Sequence, residues 1–121
     1  MKSMVLIVDD DDKVRASLKK WLSASFSRYK FVEATSGEEA VLMSRENEPV
    51  LVIMDVTMPG ISGIEATRLI KSARPATHVV MLTIHNEEAY RSTAESAGAC
   101  AFVCKERAPV ALMPVLKRLL G

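Results

Sequence analysis

The residues of this sequence that could carry chemistry follow directly after short apolar runs. They are Asp9, Asp10, Asp55, Thr83 and Lys105. Three carboxylates that lie close together repel one another and raise each other's pKa, and a hard divalent cation relieves that repulsion. Mg²⁺ takes few protein carboxylates, retains water ligands and completes its coordination with phosphate oxygens. If these side chains meet in the fold, they predict a magnesium site that acts on a phosphoryl group.

Five apolar runs are expected to form the strands that bring those residues together. The runs are Met4–Val8, Phe31–Ala34, Val50–Met54, Val79–Leu82 and Ala101–Cys104. Most are rich in Val, Ile or Phe, which is typical of strands that are buried on both faces of a parallel sheet. The segments between them have the apolar spacing of helices, so we expect an α/β fold in three layers with right-handed crossovers. In such open sheets, ligands bind at the carboxyl ends of the strands.

Local signals indicate where the helices begin and end. Asp11 and Asp12 suit the start of the first helix, where free N–H groups and the helix dipole favour acidic side chains. In the last helix, Pro109 suits a first position, but Pro114 does not suit an interior. This helix therefore either begins near Ala111 or kinks, and we favour the late start. The capping signals for the second, third and fourth helices are Ser36 with Glu39, Ser62 with Glu65, and Asn86 with Gly98.

Length and composition limit the class of protein. A chain of 121 residues predicts one domain over residues 1–121. A net charge of +1 gives no basic excess, so we expect no nucleic-acid or membrane surface. The longest apolar runs have five residues, whereas a membrane span needs ~20, and no signal peptide follows the first methionine. We therefore expect a cytoplasmic domain.

The two cysteines, Cys100 and Cys104, are expected to be free thiols. On one strand, residues four apart are separated by ~13 Å, whereas a disulfide needs Cα atoms closer than about 7 Å. Their spacing also differs from that of zinc sites. We predict two buried thiols that act as small hydrophobic side chains.

The order of the motifs resembles that of a known family. The stretches VLIVDDD, MDVTMPGISG, VVMLT and AFVCK follow one another as in the receiver domains of two-component response regulators, over nearly all of the chain. The resemblance implies a flavodoxin-like, doubly wound sheet of five parallel strands in the order 2-1-3-4-5, with five helices in three layers. It also implies a signalling switch rather than an enzyme, because such a domain catalyses only its own phosphorylation and dephosphorylation.

The resemblance implies a role for each residue of the acidic site. Asp55 is the expected phosphoacceptor, which takes a phosphoryl group from the phosphohistidine of a sensor histidine kinase and forms an acyl phosphate. Asp10, Asp55 and the backbone carbonyl of Thr57 are the expected direct ligands of Mg²⁺, and Asp9 is expected to help through water. The Lys105 ammonium is expected to pair with the phosphoryl oxygens.

Further residues are expected to couple phosphorylation to a change in the surface of the domain. The Thr83 hydroxyl is expected to donate to the phosphoryl group, and the ring of Phe102, at the switch position of the family, is expected to turn inward into the vacated space. The surface of helix four, strand five and helix five would then change, and a homodimer or an output partner could read it. Thr57 and His85, at the rim of the site, are expected to modulate the phosphoryl lifetime.

The loop after the last strand departs from the usual pattern of the family, because Glu106 rather than a proline follows Lys105. The stretch KERAP resembles the loop of regulators with a LuxR-type helix-turn-helix output. We therefore expect a DNA-binding output domain, absent from this chain, as a partner. We favour a receiver excised from a longer regulator over a stand-alone one.

Two other functions remain open. A haloacid-dehalogenase-like phosphatase also uses an aspartate nucleophile and Mg²⁺, and Asp55-Val56-Thr57 is similar to its DxT motif. That nucleophile normally follows the first strand rather than the third. A flavodoxin-like binding module without phosphorylation is the other alternative, and it would carry a bound nucleotide or flavin.

Overall fold

Five parallel strands form one sheet in the computed structural model, which describes residues 2–84 and 88–121. The strands are β1 (Ser3–Val8), β2 (Tyr29–Ala34), β3 (Leu51–Asp55), β4 (His78–Thr83) and β5 (Ala101–Cys104). They lie in the order β2-β1-β3-β4-β5, and every neighbouring pair is parallel. The predicted α/β class and the predicted strand order are therefore confirmed.

In the described residues, four helices lie between successive strands, a fifth follows the last strand, and together they cover both faces of the sheet. They are α1 (Asp12–Ser25), α2 (Gly37–Asn47), α3 (Gly63–Ala73), α4 (Glu88–Ala97) and α5 (Ala108–Leu120). A 3-10 turn over Lys105–Arg107 precedes α5. Within residues 2–84 and 88–121, no helix is long and apolar enough to cross a membrane.

Alternate residues of each strand belong to two separate cores, because successive side chains of a strand point to opposite faces. In β1, Val5 and Ile7 pack with α1 and α5, while Leu6 and Val8 pack on the face that α2, α3 and α4 cover. All four residues are at most 2% exposed. Burial on both faces explains why β1, β3, β4 and β5 contain continuous apolar runs, whereas the edge strand β2 is only partly buried and includes Lys30 and Glu33.

Three of the predicted helix starts carry the predicted caps. The Asp11 carboxylate accepts from the backbone N–H groups of Lys13 and Val14, and the Ser36 and Ser62 hydroxyls each accept from the N–H three residues later. Gly98 follows α4 with φ +112°, as expected of a residue that ends a helix. The predicted cap Asn86 lies outside the described residues.

The predicted start of the last helix is wrong. α5 begins at Ala108, and Pro114 lies inside it. Burial of Ala108, Leu112 and Leu116 along one stripe favours the longer helix. Pro114 lies on the exposed side, and the carbonyl that loses its intrahelical partner belongs to Val110, which is itself exposed. Packing of the stripe thus outweighs the local penalty of the proline.

The prediction for the cysteines is half correct. Both thiols are free, and Cys104 is buried at the end of β5. Cys100 is exposed, because β5 begins one residue after it and Cys100 lies in the connection from α4.

Candidate functional site

Strand register brings Asp9 and Asp55 side by side. Val8 of β1 lies beside Met54 of β3, so the next residue of each chain segment is an aspartate at the same level of the sheet. Asp9 is 2% exposed and Asp55 is 5% exposed, whereas Asp10 is exposed at the rim. One carboxylate oxygen from each of the three lies within 4.8 Å of the others. The three carboxylates that the sequence singled out therefore meet at the carboxyl edge.

The same register adds Thr83 and Lys105 to that edge. Leu82 of β4 lies beside Asp55, and Thr83, the next residue, is 1% exposed. Thr83 in turn lies beside Cys104 of β5, so Lys105 leaves the sheet next to it. Asp9, Asp10, Asp55, Thr83 and Lys105 thus all lie at the carboxyl edge of the sheet.

Lys105 is the cation of the site. Its Nζ lies 2.8 Å from Oδ2 of Asp9 and 3.4 Å from Oδ1 of Asp55. Burial alone lowers the pKa of Lys105, but its hydrogen bond to Asp9 and the charges of both carboxylates outweigh burial and raise that pKa above its usual value. The ammonium therefore keeps its charge between the two buried carboxylates.

Asp55 titrates well above the range of an ordinary aspartate. Burial, followed by the negative charge of Asp9, raises the pKa of Asp55 to about 6 from its usual 3.8. Lys105 and a hydrogen bond from the Thr57 backbone oppose the rise without cancelling it. Burial and the charge of Asp9 together thus outweigh what Lys105 offsets, and hard oxygen donors with excess negative charge form a set that suits a divalent cation.

The loop after β3 returns across the end of its own strand, and glycine makes that return possible. A Cβ atom on Gly63 would lie 1.8 Å from the Asp55 carbonyl oxygen. The Gly63 N–H donates to the carbonyl of Val56 at 2.8 Å. The close approach places exposed Thr57 beside Asp55, where its backbone carbonyl was predicted to serve as a ligand.

Glu38 of α2 holds this loop, and the sequence analysis missed it. Its carboxylate accepts from the Ile61 N–H at 3.0 Å and lies directly against Gly60. Gly60 has φ +82°, a left-handed conformation that favours glycine. Because 23 residues separate Glu38 from Ile61, no local pattern reveals the contact.

The sequence analysis also missed Arg15 of α1, which lies behind Asp9. It is 8% exposed, and its guanidinium donates to the Asp9 backbone carbonyl at 2.7 Å, to Glu33 at 2.9 Å and to Asp12 at 2.6 Å. The sequence did carry a signal, because Arg15 stands three residues before Leu18 on the buried stripe of the helix. A charged residue in such a stripe is uncommon and needs partners when it is buried.

The two predicted switch residues lie on the same sheet face. Phe102 of β5 pairs with Met81, two residues before Thr83 on β4. The Phe102 ring is 9% exposed, and the Arg91 guanidinium of α4 lies 5.0 Å from its centroid. The ring is therefore already on the inner side in this structure. His85, the other predicted rim residue, lies outside the described residues.

The chain is similar to proteins of one family. A model of the response regulator receiver domain matches residues 5–117. Transcriptional activator protein ExaE of Pseudomonas putida is 38% identical over 117 residues, which make up 97% of this chain and 55% of that protein. The chain spans about half the length of the curated relatives it matches.

Solved structures of response regulators have the same fold as this chain. A LuxR-family two-component response regulator from an Aurantimonas species superposes with a TM-score of 0.90 at 33% identity, over 99% of this chain and 86% of that one. Response regulator TrrA of Thermotoga maritima, solved in complex with Mg²⁺-BeF, gives 0.86 at 33% identity, over 98% and 99%. The matched family gives no support to the haloacid-dehalogenase-like phosphatase alternative.

The raised pKa of Asp55 predicts how stability depends on pH without a divalent cation. Between pH 3.8 and about 6, the folded protein binds more protons at Asp55 than the unfolded chain does. The free energy of unfolding therefore falls as the pH rises through this window. Asp55→Asn cannot ionise, so at pH 7.5 it should be more stable than wild type by about 1–3 kcal/mol.

Urea unfolding of both proteins from pH 4 to 8, with chelator present, measures this difference. The advantage of Asp55→Asn should shrink toward zero as the pH falls to 4. Glu46→Gln, which removes an exposed carboxylate of α2, is the control and should change stability by no more than about 0.5 kcal/mol at any pH. An Asp55→Asn protein that is less stable than wild type at pH 7.5 would contradict the crowding of these carboxylates.

Proposed function

The chain belongs to the response regulator receiver domain family, and on that premise we propose that it accepts a phosphoryl group from a sensor histidine kinase on Asp55. The proposal covers the whole chain, residues 1–121, as one receiver domain in the cytoplasm. It makes the domain a switch that catalyses only its own phosphorylation and dephosphorylation.

One observation carries the proposal. Two buried carboxylates, Asp9 and Asp55, share the site with exposed Asp10 and with the ammonium of Lys105. The excess negative charge suits a divalent cation, and the ammonium suits an incoming anion. A site with both features fits phosphoryl transfer, in which cations stabilise the charge spread over the phosphoryl oxygens.

Asp55 is the nucleophile of the proposed reaction. A carboxylate oxygen of Asp55 attacks phosphorus, the bond from phosphorus to the kinase imidazole breaks, and the product is an acyl phosphate. With a pKa of about 6, most Asp55 side chains are ionised at neutral pH. Its burial at the end of β3 and its contact with Lys105 restrict the orientation of its carboxylate.

Asp10, Asp55 and the Thr57 carbonyl are the proposed direct ligands of Mg²⁺, and Asp9 acts through water. Asp9 suits the indirect role because Oδ2 already accepts from Lys105 and Oδ1 accepts from the Asp11 N–H at 2.9 Å. When bound, Mg²⁺ would supply positive charge that offsets the charge of the phosphoryl oxygens. Lys105 is the proposed partner of these oxygens.

Thr83 and Phe102 are the proposed switch. A phosphoryl group on Asp55 attracts the Thr83 hydroxyl, because hydrogen bonds to an anion are among the stronger ones. Phe102 already lies inside, covered by Arg91. The proposed change is therefore in how α4 packs over the ring, and hence in the surface of α4, β5 and α5. Thr57 and His85 are the proposed modulators of the phosphoryl lifetime.

The partners are proposed from the relatives. ExaE is a transcriptional activator about twice as long as the matched region, and a structural neighbour belongs to the LuxR family. We therefore propose that a DNA-binding output domain reads the α4-β5-α5 surface, directly or through a homodimer formed on it.

Labelling with acetyl phosphate and Mg²⁺ tests the phosphoacceptor. Intact-mass spectra of wild type should gain one phosphoryl group, and Asp55→Asn should gain none, because the amide cannot form the acyl phosphate. Glu46→Gln is the control, since Glu46 is an exposed carboxylate of α2 outside the acidic cluster, and it should still be labelled. Labelling of Asp55→Asn at another residue would assign the acceptor role elsewhere.

A variant of Thr83 tests the switch separately from the chemistry. Thr83→Ala should still accept the phosphoryl group but lose most of the change in amide NMR shifts over residues 88–120 that beryllofluoride induces in wild type. Thr83→Ser keeps the hydroxyl and should restore that change. A Thr83→Ala protein that responds as fully as wild type over this surface would remove Thr83 from the coupling.

A further inference from the structure

Arg15 is a buried cation. It contacts none of the groups that are proposed to react, but it holds the backbone carbonyl of Asp9. Its 2.7 Å bond to the Asp9 carbonyl is buried, and Glu33 of β2 and Asp12 of α1 bind the rest of its guanidinium. We infer that Arg15 is a positioning residue, which fixes the peptide between Asp9 and Asp10 and thereby orients the carboxylates for a divalent cation. This inference rests on the proposed function.

Four polar contacts hold the backbone and the side chain of Asp9. Its N–H donates to the Ala34 carbonyl of β2 at 3.2 Å, and its carbonyl accepts from Arg15. Its two carboxylate oxygens accept from the Asp11 N–H at 2.9 Å and from Lys105 at 2.8 Å. Of these four contacts, the one from Arg15 acts on the peptide group that continues into Asp10.

That peptide group determines where Asp10 lies. A peptide unit is planar, so a carbonyl held at one position also sets the plane that ends at the next Cα atom. Asp10 is exposed and follows the last residue of β1 by two positions, so the sheet ladder does not hold it. Arg15 thus supplies, from inside the protein, the constraint that the exposed carboxylate needs.

Glu33 and Asp12 fix the guanidinium itself. The Glu33 side chain is 31% exposed and belongs to β2, whereas Asp12 is 87% exposed and lies in the first turn of α1. The planar guanidinium donates from three separate nitrogens, to Glu33, to the Asp9 carbonyl and to Asp12, whereas a lysine has only one nitrogen from which to donate. The contacts therefore tie β1, β2 and α1 together directly behind the site.

Magnesium binding tests this inference without phosphorylation. In Arg15→Met, Mg²⁺ should bind at least roughly tenfold more weakly than in wild type, since loss of groups that orient metal ligands typically has such an effect. Arg15→Lys can keep one bond to the Asp9 carbonyl and should bind with intermediate affinity. Affinity is read from amide NMR shifts at Asp10 and Thr57 as Mg²⁺ is added.

Lys19→Met is the matched control. Lys19 lies on the same helix and also pairs with Glu33, at 3.7 Å, but it makes no contact with Asp9. It should bind Mg²⁺ as wild type does, and Asp10→Ala should bind it poorly. A folded Arg15→Met protein with the affinity of wild type would overturn the inference.

Wild type itself provides a second readout if Arg15→Met does not fold. Saturating Mg²⁺ should shift the Nε resonance of Arg15 and leave that of Arg68, which pairs with Glu65 on α3, unchanged. An unmoved Arg15 resonance would overturn the inference. If wild type binds Mg²⁺ but is not labelled by acetyl phosphate, the proposed function fails while the inference stands, and if wild type binds no Mg²⁺, both fail.

Discussion

Repulsion between Asp9 and Asp55 is the constraint on which the rest of this structure depends. Parallel register forces the two side chains to the same level of adjacent central strands, where both are almost fully buried. Buried carboxylates this close are stable only if neighbouring groups share their charge. Lys105, directly after β5, contacts both, and the pKa of Asp55 remains raised to about 6. The proposed binding of a cation and of a phosphoryl group rests on this unrelieved charge.

The supporting groups each act on the backbone rather than on the reaction. Arg15 holds the carbonyl of Asp9, and Glu38 holds the N–H of Ile61 in the loop after β3. Gly63 lets that loop pass against the Asp55 carbonyl, where any side chain would collide. These contacts come from α1, α2 and the start of α3, whereas the residues of the proposed switch lie on β4 and β5.

The sequence predicted the features that depend on the alternation of strands and helices and on the residues at which apolar runs end. Strands buried on both faces leave an abrupt boundary where polar residues begin, and that boundary placed Asp9, Asp55, Thr83 and Lys105 on one edge. The sequence did not predict contacts between segments that are far apart in the chain, such as the contact of Glu38 with the loop after β3. It also misplaced the start of α5, because the penalty of Pro114 is local while the burial of Leu112 and Leu116 is tertiary. The prediction that Cys100 is buried also failed, because Cys100 lies just outside β5, in the connection from α4.

The crowding of carboxylates can be measured most directly at the Asp55 carboxyl carbon. Carbon-13 NMR of selectively labelled protein follows its titration between pH 3 and 8, with chelator and then with saturating Mg²⁺. Without the cation, the titration midpoint should lie at about 6; with Mg²⁺, it should fall below 3.8, the usual value for an aspartate. A midpoint near 3.8 in chelator, or one that Mg²⁺ leaves unchanged, would contradict the account.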